Sequence, residues 1–347
     1  GDLDGLRLRR DGHGPSLLAV LGSEGVSTAD AAPHDADEAR SSCAWRTARS
    51  GSATAAAVAA AVAAVLFRAW RGAGTTTGAA TAGCRIRSVA ADAAVTALDG
   101  LTGAAAAATL QIRGSLYRPA DRTTPSPLIV LVHGNHSSCD TGSAPNCTAF
   151  KRNDRGYAYL GENLASWGYT VVSIDQDQMM YYQDSAMAKG MHQRRLLIAA
   201  TLDALYKANA EGLTGPDQNL DDTLVGKLDM TRIGLMGHSR GGDAVTSFMD
   251  YNRTRPAPGR RYPLRGVISL APVDYERRAP SGTAYMTILP QCDADVSNLQ
   301  GARFFERSQY VDPSDPFPRV QIGVHGTNHN WFNSVWAADG EDGSNGD

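Results

Sequence analysis

The sequence contains no stretch of about 18 or more strongly apolar residues, the length a membrane-crossing helix needs, which excludes a polytopic membrane protein. It lacks an excess of either charge: 33 Lys and Arg stand against 36 Asp and Glu, for a formal net charge of −3. Without a basic surplus nothing in the composition points to nucleic acid, and without an acidic one nothing points to a solvating tail protein. Cysteine is scarce, at five in 347 residues, and no two form a Cys-x-x-Cys pair, which disfavours a zinc ribbon. Core-forming residues are not scarce: 42% of the chain is hydrophobic and 20% charged, so a wholly disordered chain is excluded and a sizeable core can be buried. Their distribution is uneven. Roughly the first ninety residues are rich in Ala, Gly, Ser, Thr and Arg and poor in strand formers.

Residues 1–52 show no sustained periodicity and are expected to be disordered, or a leader absent from the mature protein. Residues 53–67 are uncharged and dominated by Ala, with Arg46 and Arg49 before them and Arg68 and Arg71 after. That length suits the apolar region of a signal peptide; the long preceding segment and the trailing charges depart from a standard signal and leave an Ala-rich helix or linker as the alternative. Residues 72–83, dense in Gly, Thr and Ala, read as linker. Cys139 and Cys147 flank a polar loop containing Gly142 and Pro145, which can close as a small disulfide in an oxidising compartment or leave two loop thiols.

After residue 105 strands and helices alternate. Residues 111–117 alternate as a half-buried strand, and 128–132, 169–174, 233–236, 267–271, 286–289 and 320–324 are continuous apolar runs of the kind buried on both faces of a sheet. Helical periodicity marks 157–167 and 186–207, a helix is expected from Arg240, and 296–307 reads as another. This alternation implies an α/β fold with a mostly parallel central sheet and helices on both faces, whose functional residues collect just after the strands.

Four strand ends carry the chemistry. After 233–236 comes Gly237-His238-Ser239-Arg240-Gly241-Gly242, a Gly-x-Ser-x-Gly box between strand and helix. The sharp turn lifts the serine hydroxyl clear of the sheet and requires small neighbours two residues away. The bland alternative is a helix-capping serine in a Gly-rich turn. After 128–132 comes His133-Gly134-Asn135-His136, where the Asn135 N–H, with that of Arg240, is expected to hold an oxyanion. His133, His136, Cys139 and Asp140 also have a spacing that permits a metal, the less favoured reading. After 286–289, Asp293 is the favoured acid, with Asp295 in reserve and Asp274 third; each has a turn or cap role as its alternative. After 320–324, His329 lies out in the loop as the expected base, while His325 beside the strand reads as structural. The order Ser239, Asp293, His329 is that of the α/β-hydrolases. Met179, Met180, Tyr181, Trp331 and Phe332 (with Gln176 and Tyr182 beside them) are candidate walls of an apolar cleft, or simply core residues.

On the segments PLIVLVHGNH, ENLASWGYTVVSID, IGLMGHSRGG and GTNHNWF, residues from about 111 to 336 resemble the α/β-hydrolase superfamily, and within it the secreted bacterial serine esterases of the chlorophyllase and polyester-hydrolase-like branch. The resemblance implies a nucleophile at Ser239, a base at His329, an acid at Asp293 and oxyanion donors at Asn135 and Arg240. It further implies an ester substrate, small or polymeric, and no metal or organic cofactor. The expected organisation is a leader over 1–104, a catalytic domain over 105–337 and an acidic, Gly-rich tail over 338–347, in a secreted or cell-envelope monomer with no membrane span and no nucleic-acid partner. An amidase or peptidase on the same fold, or a catalytically silent binding protein, are the alternatives.

Overall fold

A computed structural model describes residues 16–22, 25–27, 85–95, 110–119, 122–144, 146–182, 190–212 and 224–337. The strands are β1 (Ser16–Gly22), β2 (Gly25–Ser27), β3 (Arg85–Val95), β4 (Leu110–Arg118), β5 (Ser126–Val132), β6 (Cys139–Ser143), β7 (Asn146–Phe150), β8 (Thr170–Asp175), β9 (Leu228–His238), β10 (Leu264–Leu270), β11 (Ala284–Pro290) and β12 (Arg319–Val324). Ten of them form one sheet in the order β2-β1-β12-β11-β10-β9-β5-β8-β4-β3. From β8 through to β1 all neighbours are parallel. The strands β2, β3 and β4 pair antiparallel.

The helices are α1 (Ala158–Ser166), α2 (Asp177–Tyr182), α3 (Met191–Glu211), α4 (Arg240–Thr254), α5 (Ala302–Ser308) and α6 (Ser334–Ala337). They cover both faces, and β5 shows why its sequence is apolar from Leu128 to Val132. Its even positions Leu128, Val130 and Val132 pack with Leu197 and Leu202 of α3 and Phe248 of α4. Its odd positions Ile129 and Leu131 pack with Leu160 and Leu164 of α1 and with Phe332. Successive side chains of a strand point to opposite faces, so a central strand of a covered sheet has no polar side. This is the α/β-hydrolase fold with a mostly parallel central sheet.

Several boundaries differ from the periodicity reading. α3 begins at Met191, not residue 186, because Gly190 takes φ 81° and no helix passes through a left-handed residue. α5 begins at Ala302, not residue 296. The Asp293 carboxylate accepts the Val296 N–H in a turn, and Leu299 has φ 47°. The helix expected over 157–167 is α1, Ala158–Ser166, and it is preceded by a 3-10 turn, Asn153–Tyr157. Where the composition predicts no ordered element before residue 105, β1, β2 and β3 extend both ends of the sheet; the run 17–21 is apolar but only a few residues long, too short to show a period. The Ala-rich run 53–67, the linker 72–83 and the tail 338–347 lie outside the described residues. β6 and β7 form a separate hairpin closed by a Cys139–Cys147 disulfide, Cα–Cα 5.2 Å. Among the described residues no helix is long and apolar enough to cross a membrane.

Candidate active site

Because β5, β8, β9, β10, β11 and β12 run parallel, their carboxyl ends lie along one edge of the sheet. The residues that follow β5, β9, β11 and β12 are those singled out above. Ser239 follows β9 and caps α4 with φ 57° and ψ −123°. A non-glycine residue there is strained by about 1–3 kcal/mol, a cost the surroundings must hold in place. They do so with backbone bonds: the Ser239 N–H donates to the Leu270 carbonyl at 2.9 Å, and the Gly242 N–H donates to the Ser239 carbonyl at 2.9 Å. Three glycines leave room for the turn. A methyl group on Gly237 would collide with the Gly241 carbonyl, one on Gly241 with the Val132 carbonyl, and one on Gly134 would stand 2.5 Å from the Ser239 Cβ.

His329, buried, belongs to the loop after β12 and opens a 3-10 turn, Asn330–Phe332. Its Nδ1 lies 2.9 Å from Oδ2 of Asp293, which is also buried. The two loops are tied by their backbones: the Gln291 N–H donates to the Val324 carbonyl and the Cys292 N–H to the Thr327 carbonyl. Asp295, on the same loop, approaches Nε2 of His329 at 3.4 Å, and its side chain is 59% exposed. Asp274 is elsewhere engaged, both oxygens bonded to Arg307. His325 is exposed at the end of β12.

The box residue His238 is buried beside His329, ring centroids 5.0 Å apart, and its Nδ1 lies 2.9 Å from the Tyr157 hydroxyl. Burial, then the neighbouring His329, holds its pKa well below the ordinary histidine value, so it is neutral at pH 7. Trp336 of α6 forms the next layer, fully buried. Its ring is nearly parallel to those of His136, at 5.2 Å, and His329, at 6.3 Å. Its Nε1–H donates to Asn153 Oδ1 at 2.7 Å. No local sequence signal marks Trp336, Asn153 or Tyr157.

His133 is turned inward. Its Nε2 accepts the Gln176 N–H at 2.8 Å, and burial pushes its pKa down to about 3. With Asp175 and Asp177 it forms a cluster spaced as metal ligands are. Most of its atoms are already engaged: Asp177 accepts from Asn153 and the Arg152 N–H, Asp175 Oδ1 accepts from the Asp177 N–H, and Asp175 Oδ2 is ion-paired with Arg113 at 3.1 Å. The alternative metal set drawn from the sequence loses Cys139 to the disulfide. Of the candidate wall residues, Met179 and Met180 are buried in the core that backs α3, and Phe332 is buried in the opposite core. Tyr181 is half exposed and Trp331 partly buried. Asn135 is partly buried in the turn after β5, and Arg240 opens α4.

No family model matches the chain. It is similar to a bis(hydroxyethyl) terephthalate hydrolase of Streptomyces coelicolor, 28% identical over 153 residues, which is 44% of this chain and 38% of that protein. The match thus spans well under half of the relative's length.

Proposed function

We propose that the protein is a serine carboxylic-ester hydrolase. The observation that carries this reading is the conjunction of a strained serine at the end of β9 with a histidine whose Nδ1 is hydrogen-bonded to a buried aspartate, both presented at the same edge of the sheet. In this reading Nδ1–H of His329 donates to Asp293, so Nε2 carries the lone pair that takes the proton from Ser239 as its Oγ attacks the ester carbonyl carbon. The N–H groups of Asn135 and Arg240 hold the oxyanion, and the dipole of α4 adds to their field. His329 then protonates the departing alcohol. Water, deprotonated by the same histidine, cleaves the acyl-enzyme. Asp293 keeps the imidazole in one tautomer and offsets its charge when protonated.

The catalytic unit is residues 105–337, its sheet extended by β1, β2 and β3. The substrate is a small or polymeric ester, in keeping with the terephthalate ester hydrolase to which the chain is similar. Placement among the secreted bacterial serine esterases of the chlorophyllase and polyester-hydrolase-like branch, as a monomer, is part of the same proposal; the Cys139–Cys147 disulfide supports an oxidising compartment. Hydrolysis of p-nitrophenyl butyrate by the purified chain, and its loss by roughly 10⁴-fold or more in Ser239→Ala at unchanged circular dichroism, is the expected result. Undiminished turnover in that variant, or preference for the matched anilide, overturns the assignment.

A further inference from the structure

The turn that carries Asn135 is held from behind by a cation that has no anionic partner among the described residues. Arg194, in the first turn of α3, is fully buried. Its Nη1 donates to the His133 carbonyl at 3.1 Å and to Gln176 Oε1 at 2.8 Å. Gln176 Nε2 donates to the same carbonyl at 2.8 Å. The peptide at the start of the turn is therefore fixed by two donors. Neighbouring buried or part-buried arginines have carboxylates: Arg195 pairs with Glu276, Arg152 with Asp154 and Arg113 with Asp175. Among the described residues Arg194 has none, and its Nε and Nη2 have no hydrogen-bond partner. Burial and then repulsion from Arg240 lower its pKa to about 9, so it stays charged at pH 7.

An unpaired buried charge is costly, and an apolar side chain of the same length would fill the space without that cost. Holding one carbonyl does not require a net charge. A charge left uncompensated in a site excluded from water acts fully on any negative charge that forms nearby, with no reorganisation when it forms. Resting on the esterase reading, we propose that Arg194 is a positioning residue for the oxyanion: through Gln176 and the His133 carbonyl it fixes the Asn135 turn, and its unneutralised charge stabilises the tetrahedral intermediate from behind that turn. Arg194 does not itself touch substrate.

The Gln176 position separates charge from scaffolding. Gln176→Glu gives Arg194 a permanent carboxylate partner, whereas Gln176→Met removes the same donor to His133 without adding charge. In the full-length chain, Gln176→Glu is expected to lower kcat for p-nitrophenyl butyrate at least about tenfold below Gln176→Met, with KM little changed and a thermal midpoint no lower. Arg194→Met should lower kcat about 10–100-fold, and Arg194→Lys should recover most of that loss. A Gln176→Glu enzyme as fast as Gln176→Met, or Arg194→Lys as slow as Arg194→Met, overturns the inference; if Arg194→Met does not fold, the Gln176 pair decides. A wild-type chain whose Ser239 resists a fluorophosphonate overturns the esterase reading and this inference with it. A labelled wild type beside indifferent variants overturns this inference alone.

Discussion

The residues proposed as nucleophile, acid and base, Ser239, Asp293 and His329, are each picked out by residue type and by position after an apolar run, and two of them, Asp293 and His329, meet in the structure. The chemistry proposed for them calls for a local pattern that a sequence can display: small residues two away from the serine, and a carboxylate and an imidazole in polar loops. The choice between Asp293 and Asp295 is not local. Two residues apart in one loop, they differ in that the first is buried against Nδ1 and the second reaches Nε2 from solvent. Asp293→Asn is expected to reduce kcat by about 10⁴-fold through loss of tautomer control, and Asp295→Asn by less than about tenfold, in initial-rate assays. Equal losses would move the acid role to the pair. Trp336, Asn153 and Arg194 were not legible. The Trp336–Asn153 bond joins residues 183 apart in sequence, and no window of sequence contains both.

At the level of elements, the central strands were legible because β5, β8 and β11 are buried over their full length, so their sequences carry no alternation to misread. Helix starts were less so: the backbone at Gly190 and Leu299, not hydrophobic period, decides where α3 and α5 begin. The junction of β9 and α4 is tight against β5. In Gly241→Ala the new methyl group meets the carbonyl oxygens of Val132 and His133, which are backbone and cannot rotate away. The substitution is expected to cost about 1–3 kcal/mol, read as a lowered urea midpoint, and to displace the turn after β5. An unchanged midpoint would mean that the two elements have slack between them.

For the molecule as a whole, several buried ionisable groups couple folding to pH. Asp243, one turn into α4, accepts the N–H groups of Tyr275 and Glu276. Burial first, with Glu276 and Asp274 nearby, raises its pKa to about 7. Unfolded, it ionises near 3.9, so between roughly pH 4 and 7 the native chain holds a proton that the unfolded chain has lost. Its contribution to stability is full below about pH 4 and declines as pH rises toward 7. Asp243→Asn removes that decline. The stability of the variant relative to wild type should therefore increase by about 1 kcal/mol per pH unit across that interval, measured by urea unfolding at several pH values. A constant difference would mean that Asp243 is ionised in the native state. The sheet's far flank has a different consequence. β1 lies beside β12, so residues 16–22 find their partner only when residues 319–324 exist. At ribosomal speeds of about 5–20 residues per second, the first strand waits on the order of 15–60 s for its neighbour. Until then that side of the sheet cannot close during synthesis, and it is there that a nascent chain would present a bare strand edge to a chaperone.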